Sequence, residues 1–294
     1  MKYLGYAIVI VVLLQSTLTA AGDSGSVGFV PMQKKFIREL FNGRRYFDAI
    51  AETRRLMAED RDPDRNRDYL FFIDVSYFLG SQYRTVAERL GGITAPLAYR
   101  EALLLSQSYL RLGECDRSIR VLGALRPGEL DPPLRYPLLA RKAEAFMACD
   151  RYRELRRDLS PQDASIEGVA RLRGEIDRFR SLPFKSVPLS VALSVFIPGA
   201  GQMYAGKYGH GVMSFIAVLA TAAGAWYFYA RDRNVSFTFM FFSGVFYVGN
   251  IYGAYNASRS FNDDLLDRYR EEVRKKCIPP YDPVEQVRHG PIFR

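Results

Sequence analysis

PGAGQMYAGKYGHG, residues 198–211, is a glycine-dense, aromatic-bearing stretch set between uncharged segments. Upstream, Ser186–Ile197 carries no charge. Downstream, Gly211–Ala230 is a run of 20 uncharged residues, and a helix rising about 1.5 Å per residue over that run covers the roughly 30 Å hydrocarbon core of a bilayer. Arg231, Asp232, Arg233 and Asn234 interrupt the apolar sequence, and Val235–Ser258 is again uncharged. So short a break allows only a tight turn, so the two runs are expected to form an antiparallel membrane hairpin over 186–258.

Gly201-x-x-Tyr204-x-Gly206 followed by Gly211, with Pro198-Gly199 ahead of it, resembles the two-transmembrane-helix domain family of bacteria. The likeness is to the variants reading Pro-Gly-x-Gly-Gln-x-Tyr-x-Gly and covers about residues 187–258. Better-known members carry His or Arg and an aromatic pair after the glycine, where this chain has Gln202 and Met203. The resemblance implies a membrane module and no chemistry.

Several residues inside this segment carry physical weight. Gly249-x-x-x-Gly253 sets two glycines on one helical face, and Ala220-x-x-x-Gly224 offers a small face on the other helix, a pattern that lets backbones approach in lipid. Gln202 and Asn250 are amides that are costly against hydrocarbon. The hairpin geometry places Gly253 beside the 198–211 loop, so the two amides are expected to share a hydrogen bond, directly or through one water, that pins the loop. Trp226, Tyr227, Tyr229, Tyr247, Tyr252 and Tyr255 crowd the helix ends as interfacial anchors do. Pro198 leaves Val187–Ile197 too short to cross, so it reads as a re-entrant or interfacial helix. Basic residues at 259–276 favour instead a third span through Val187–Tyr204, which leaves the side of the C-terminal tail open.

The 294-residue chain is 48% hydrophobic and 25% charged, with a formal net charge of +9. Lys2, an apolar run Tyr3–Leu14 and small residues ending at Ala21 read as a secretory signal peptide over 1–21. Whether it is cleaved stays open, but either way residues 31–182 are expected outside the cytoplasm, in a bacterial periplasm against the inner membrane. Export turns the positive charge into a solvated or juxtamembrane feature and argues against nucleic acid as a partner.

From Pro31 onward the sequence repeats. Gly43-Arg-Arg-Tyr46-Phe-Asp-Ala49, Gly80-Ser-Gln-Tyr83, Gly113-Glu-Cys115-Asp-Arg-Ser118 and Cys149-Asp-Arg-Tyr152 align on Tyr46, Tyr83, Cys115 and Tyr152, stepping by 37, 32 and 37 residues. Each unit is a helix, a short turn and a second helix. The pattern resembles the tetratricopeptide repeat family, whose units span about 34 residues. The third unit fits best, with Tyr109, Gly113, Ser118 and Ile119 where the family places its aromatic, turn glycine, small residue and aliphatic. Single hairpins cannot bury their apolar faces, so stacked units form a superhelix with a groove. Stacking also brings Cys115 and Cys149 close. In an oxidising compartment they would pair and leave Cys277 free; the bland alternative is two small residues at turns.

Ser160-Pro161-Gln162-Asp163 is a helix-start signature, and the helix after it, apolar at Val169, Leu172 and Ile176, is expected to cap the last repeat within 31–182. Residues 259–277 form an amphipathic helix, and 278–294 carry no periodicity and read as an unstructured tail. Only His210 and His289 exist, with no metal-ligand spacing, phosphate loop or nucleophile motif. No cofactor is expected, and no catalysis. The fold class that follows is all-α: a tetratricopeptide-like helical-hairpin solenoid before a transmembrane hairpin. Function is expected to be partner binding through the repeat groove by a membrane-anchored scaffold in contact with lipid, open to homo-oligomerisation. A transport or protein-insertion subunit that uses the repeats as a docking arm is the alternative.

Overall fold

A computed structural model describes residues 26–60, 62–94, 96–159, 163 and 165–293, and among them every long element is a helix and no strand occurs. The signal-peptide segment and Ser160–Gln162 lie outside the described residues. Two compact units divide the chain: one ends at Glu167 and resumes at Ile278, and the other is Gly168–Cys277.

The first unit holds four helical hairpins: α1 Ser26–Asn42 with α2 Tyr46–Glu59, α3 Pro63–Leu79 with α4 Tyr83–Gly91, α5 Tyr99–Arg111 with α6 Cys115–Gly123, and α7 Pro132–Ala148 with α8 Tyr152–Asp158. Several starts are locally encoded. Asp62 accepts from the Asp64 N–H ahead of α3, whose first residue is Pro63, and the Glu101 carboxylate reaches back to the Ala98 N–H at the start of α5.

All four hairpins turn by one backbone motif. Arg44 N–H donates to Phe41 O and Arg45 N–H to Leu40 O; Ser81 and Gln82 do the same to Phe78 and Tyr77, Gly113 and Glu114 to Leu110 and Tyr109, Asp150 and Arg151 to Met147 and Phe146. These are Schellman turns, each with one left-handed residue. That residue is Arg44 (φ 58°), Ser81 (φ 60°), Gly113 (φ 74°) or Asp150 (φ 58°). Gly43 and Gly80 are therefore not equivalent to Gly113: they stand one position earlier, and Gly80 has an ordinary φ of −78°. The alignment on Tyr46, Tyr83, Cys115 and Tyr152 is the register of the backbone itself, since each is the first residue of its second helix. Three residues further on, Ala49, Val86, Ser118 and Leu155 are all 0% exposed. Small residues stand there only in the first and third hairpins, where Ser118 and Ser106 hydroxyls meet at 2.8 Å.

The tail does not stay loose. Residues 278–293 include α14, Pro283–Arg288, capped by Asp282, and they join the first unit because Val287 and Ile292 are buried in its core beside Phe41, Phe72 and Leu104.

The second unit opens with α9, Val169–Arg178. It is not a cap inside the repeat domain. It packs on the far end of α13, where Tyr269 Oη donates to Glu175 O at 2.8 Å and the Arg178 guanidinium pairs with Glu272. Then come α10 Val187–Phe196, α11 Ala200–Tyr204, α12 Tyr208–Phe228 and α13 Arg233–Cys277. Helix α13 runs unbroken for 45 residues, so the amphipathic stretch 259–277 is its continuation and no separate element. Helices α12 and α13 are each long and apolar enough to cross a membrane. Phe215, Ile216, Leu219, Phe241, Phe246 and Val248 stand exposed along them, and Trp226 is 86% exposed at the turn end. The ten-residue α10, capped by Ser186 and ended before Pro198, is too short to cross.

Candidate functional site

Helices α10, α11, α12 and α13 meet around the 198–211 stretch in a buried polar knot. Ser190, Ser194, Gln202 and Asn250 are nearly or fully buried there. The backbone approaches set its shape: a Cβ on Gly201 would stand 1.9 Å from Ser190 O, and one on Gly199 would stand 2.0 Å from Gly211 O. Glycine is required at these crossings for space. Gly199 and Gly206 are also left-handed, and Gly206 forms with Ala205 and Lys207 the same Schellman turn found in the hairpins.

Polar side chains take up the backbone groups that these breaks release. Asn250 Oδ1 accepts from Gly199 N–H at 2.6 Å and Asn250 Nδ2 donates to Ser194 O at 2.9 Å. Ser194 Oγ accepts from Gly201 N–H, and Ser190 Oγ lies within donating distance of Gly201 O and Ala254 O. Tyr247 Oη donates to Val195 O at 2.6 Å. At the mouth, Asn262 pairs with both backbone groups of Lys185, and the Lys185 ammonium sits 4.8 Å over the Tyr204 ring, whose hydroxyl accepts from Ser186 N–H.

Two expectations for this segment are corrected. Asn250 pins the loop through the loop's own backbone, and no direct bond joins the two amide side chains. Gln202 Nε2 reaches only the Asn250 carbonyl at 3.5 Å, and its Oε1 is buried without a partner. The small faces do not oppose each other either. Gly249 has nothing within contact distance and Ala220 is exposed, whereas Gly224 abuts the Phe239 ring and Gly253 abuts the Gln202 amide. Ser190 and Ser194 carry no sequence signal beyond hydroxyls spaced four apart in an otherwise apolar helix.

In the first unit, Cys115 and Cys149 form a disulfide with Cα atoms 5.8 Å apart, and Cys277, in the second, is buried and outside any disulfide. Tyr46 packs edge-on against Phe41 and Tyr83 against Phe78, while Tyr109 and Tyr152 are buried. Two ion pairs tie first helices to their neighbours. Burial works to raise the Glu101 carboxyl, but bidentate Arg67 and the Ala98 N–H hold it below the ordinary range. For Asp74 burial prevails over its Arg89 partner, and its carboxyl is pushed up.

The first helices share a face, and residues 278–293 lie along it. Pro279 O accepts from the Arg141 guanidinium of α7, which also stands 5.4 Å from the Tyr281 ring. Tyr281 faces Phe78 of α3, and burial pushes its hydroxyl pKa up. Val287, Gly290, Pro291 and Ile292 border Asp68, Phe71 and Phe72 of α3 and Arg100 of α5. Phe293 ends against Phe41 of α1 and Phe72, with its carbonyl 3.4 Å from Arg38 Nη1.

Among the described residues no cluster of His, Cys, Asp and Glu could hold a metal ion. Compared with protein-family models, curated protein sequences and solved structures, the chain matches none.

Proposed function

We propose that this chain is an exported, membrane-anchored scaffold whose tetratricopeptide-like hairpins bind a protein partner through their groove, in the assembly of a bacterial envelope, without catalysis. The observation that carries this reading is the fourfold recurrence of one hairpin with one turn and one buried register, in a chain that also holds two helices of membrane-crossing length. Repeated hairpins with a common register build extended binding faces. The Cys115–Cys149 disulfide favours an oxidising compartment, in line with a repeat unit in the periplasm of a protein anchored in the inner membrane.

A second reading, a transport or insertion subunit that uses the repeats as a docking arm, draws on a groove of ≈ 500 Å³ between α12 and α13, lined by Ala225, Trp226, Met240 and Tyr247. Photo-crosslinking in intact cells distinguishes the two. A photoreactive residue at Asp68 or Arg100 should capture one defined partner under the scaffold reading. Capture only from Trp226 or Met240 would replace it with the second.

A further inference from the structure

We propose that the face made by the first helices of the four hairpins is a peptide-binding groove with residues 278–293 as its built-in occupant, and that the partner displaces this tail with an extended, proline-punctuated segment bearing an aromatic residue at each end. The proposal deepens the scaffold reading and rests on it. Three observations support it.

The tail is built like a bound peptide. Pro279, Pro280, Pro283 and Pro291 punctuate it, and its only helix among the described residues is six residues long. It does not add a fifth hairpin to the repeat. Its contacts, moreover, reach the first helix of every hairpin: Arg141 of α7, Arg100 of α5, Phe78 and Phe72 of α3, and Phe41 of α1. A surface patch serving only to cover a terminus has no need to traverse all four.

The mode of contact is that of peptide recognition. Guanidinium groups of Arg141 and Arg38 hold backbone carbonyls at the two ends, Pro279 O and Phe293 O, which any extended segment presents. Apolar anchors supply selectivity between those ends: Val287 and Ile292 are 3% and 2% exposed, whereas Glu285, Arg288 and His289 point to solvent.

The fit is also incomplete. The Tyr281 hydroxyl is buried with no hydrogen-bond partner, a penalty that a competing segment with phenylalanine at that place avoids. An occupant tethered to its own groove binds at high effective concentration, so a modest imperfection is what leaves it displaceable.

The test uses the full chain in nanodiscs of phosphatidylethanolamine and phosphatidylglycerol, with a fluorescein-labelled peptide of residues 278–293 as probe. Two variants vacate the groove: a chain ending at Cys277, and the full chain carrying Val287→Asp with Ile292→Asp. Both should bind the peptide at least tenfold tighter than the parent. The Tyr281→Phe peptide should bind tighter still, and a peptide carrying both aspartates should not bind. Equal binding by parent and variants, or none by variants that keep their helicity and the Cys115–Cys149 disulfide, overturns the proposal. Unfolding of both variants also overturns it, because the tail is then a structural part of the unit. A parent dimer that free peptide dissociates would assign the groove to a second copy and overturn the partner assignment. Capture at Asp68 or Arg100 in cells without peptide binding leaves the scaffold reading standing and this one fallen; peptide binding without capture overturns the scaffold reading and, with it, the displacing partner.

Discussion

At the left-handed position of the same Schellman turn, the hairpins of the first unit place Arg44, Ser81, Gly113 or Asp150, and the second unit places Gly206. All five positions are exposed, and a Cβ on Gly113 or Gly206 would meet nothing, so space does not decide the residue. Strain does: a non-glycine residue there costs roughly 1 kcal/mol. In the first unit that cost is met three times, where fully buried side chains on both sides of the turn over-determine it. Next to Gly206 the short α11 has only Gly201 and Gln202 buried. A glycine-poor turn is thus affordable where a side-chain core surrounds it, and this is why the repeats look degenerate by their glycines while keeping one backbone register.

The contrast extends to how helices are held. The first unit joins them by interdigitated Leu, Phe and Tyr side chains, which water drives inward. The second crosses backbone against backbone at Gly199, Gly201 and Gly211 and fastens the crossing with serine and asparagine. Under the membrane placement proposed above, lipid offers no hydrophobic drive between helices, so close approach and hydrogen bonds replace it.

The strongest way to break this contrast is one methyl group in each unit. Gly201→Ala puts a Cβ 1.9 Å from a backbone oxygen, so the second unit should lose on the order of 3 kcal/mol or more and fail to accumulate. Gly43→Ala meets its nearest atom at 3.2 Å and should leave the thermal midpoint in detergent close to the parent's. Comparable losses for both would end the backbone-crossing account.

Asn250→Leu is the next largest. It strands Gly199 N–H and Ser194 O in a dry interior, which should cost about 2 kcal/mol. Protease sensitivity at the 198–211 loop should rise while the hairpin turns of the first unit stay protected. Gln202→Leu, which loses one long hydrogen bond and an unpaired oxygen, should be nearly neutral. The reverse ranking would return the pinning role to Gln202.

The smallest effects sharpen the comparison of the turns. Ser81→Gly should stabilise the first unit by about 0.5–1 kcal/mol, and Gly206→Ala should cost the second about 1 kcal/mol. Chemical denaturation of each variant measures both signs. A destabilised Ser81→Gly would mean that the serine side chain, and not the backbone, decides that turn.

From residue order alone one can read the all-helical class, the two helices of membrane-crossing length, the starts of the second helices at Tyr46, Tyr83, Cys115 and Tyr152, and the nearness of Cys115 to Cys149. Each rests on local quantities: apolar period, runs without charge, turn spacing. The docking of residues 278–293 on the first helices, the placement of Val169–Arg178 on the end of α13, and the choice of backbone over Gln202 as the partner of Asn250 emerge only in the folded chain. In each of these the groups that meet lie some fifty or more residues apart, or on a face with no periodicity to announce it. An apolar residue such as Val287 or Ile292 carries no mark of which surface will bury it. That is decided by which face the four hairpins leave uncovered once their shared turn has set them side by side.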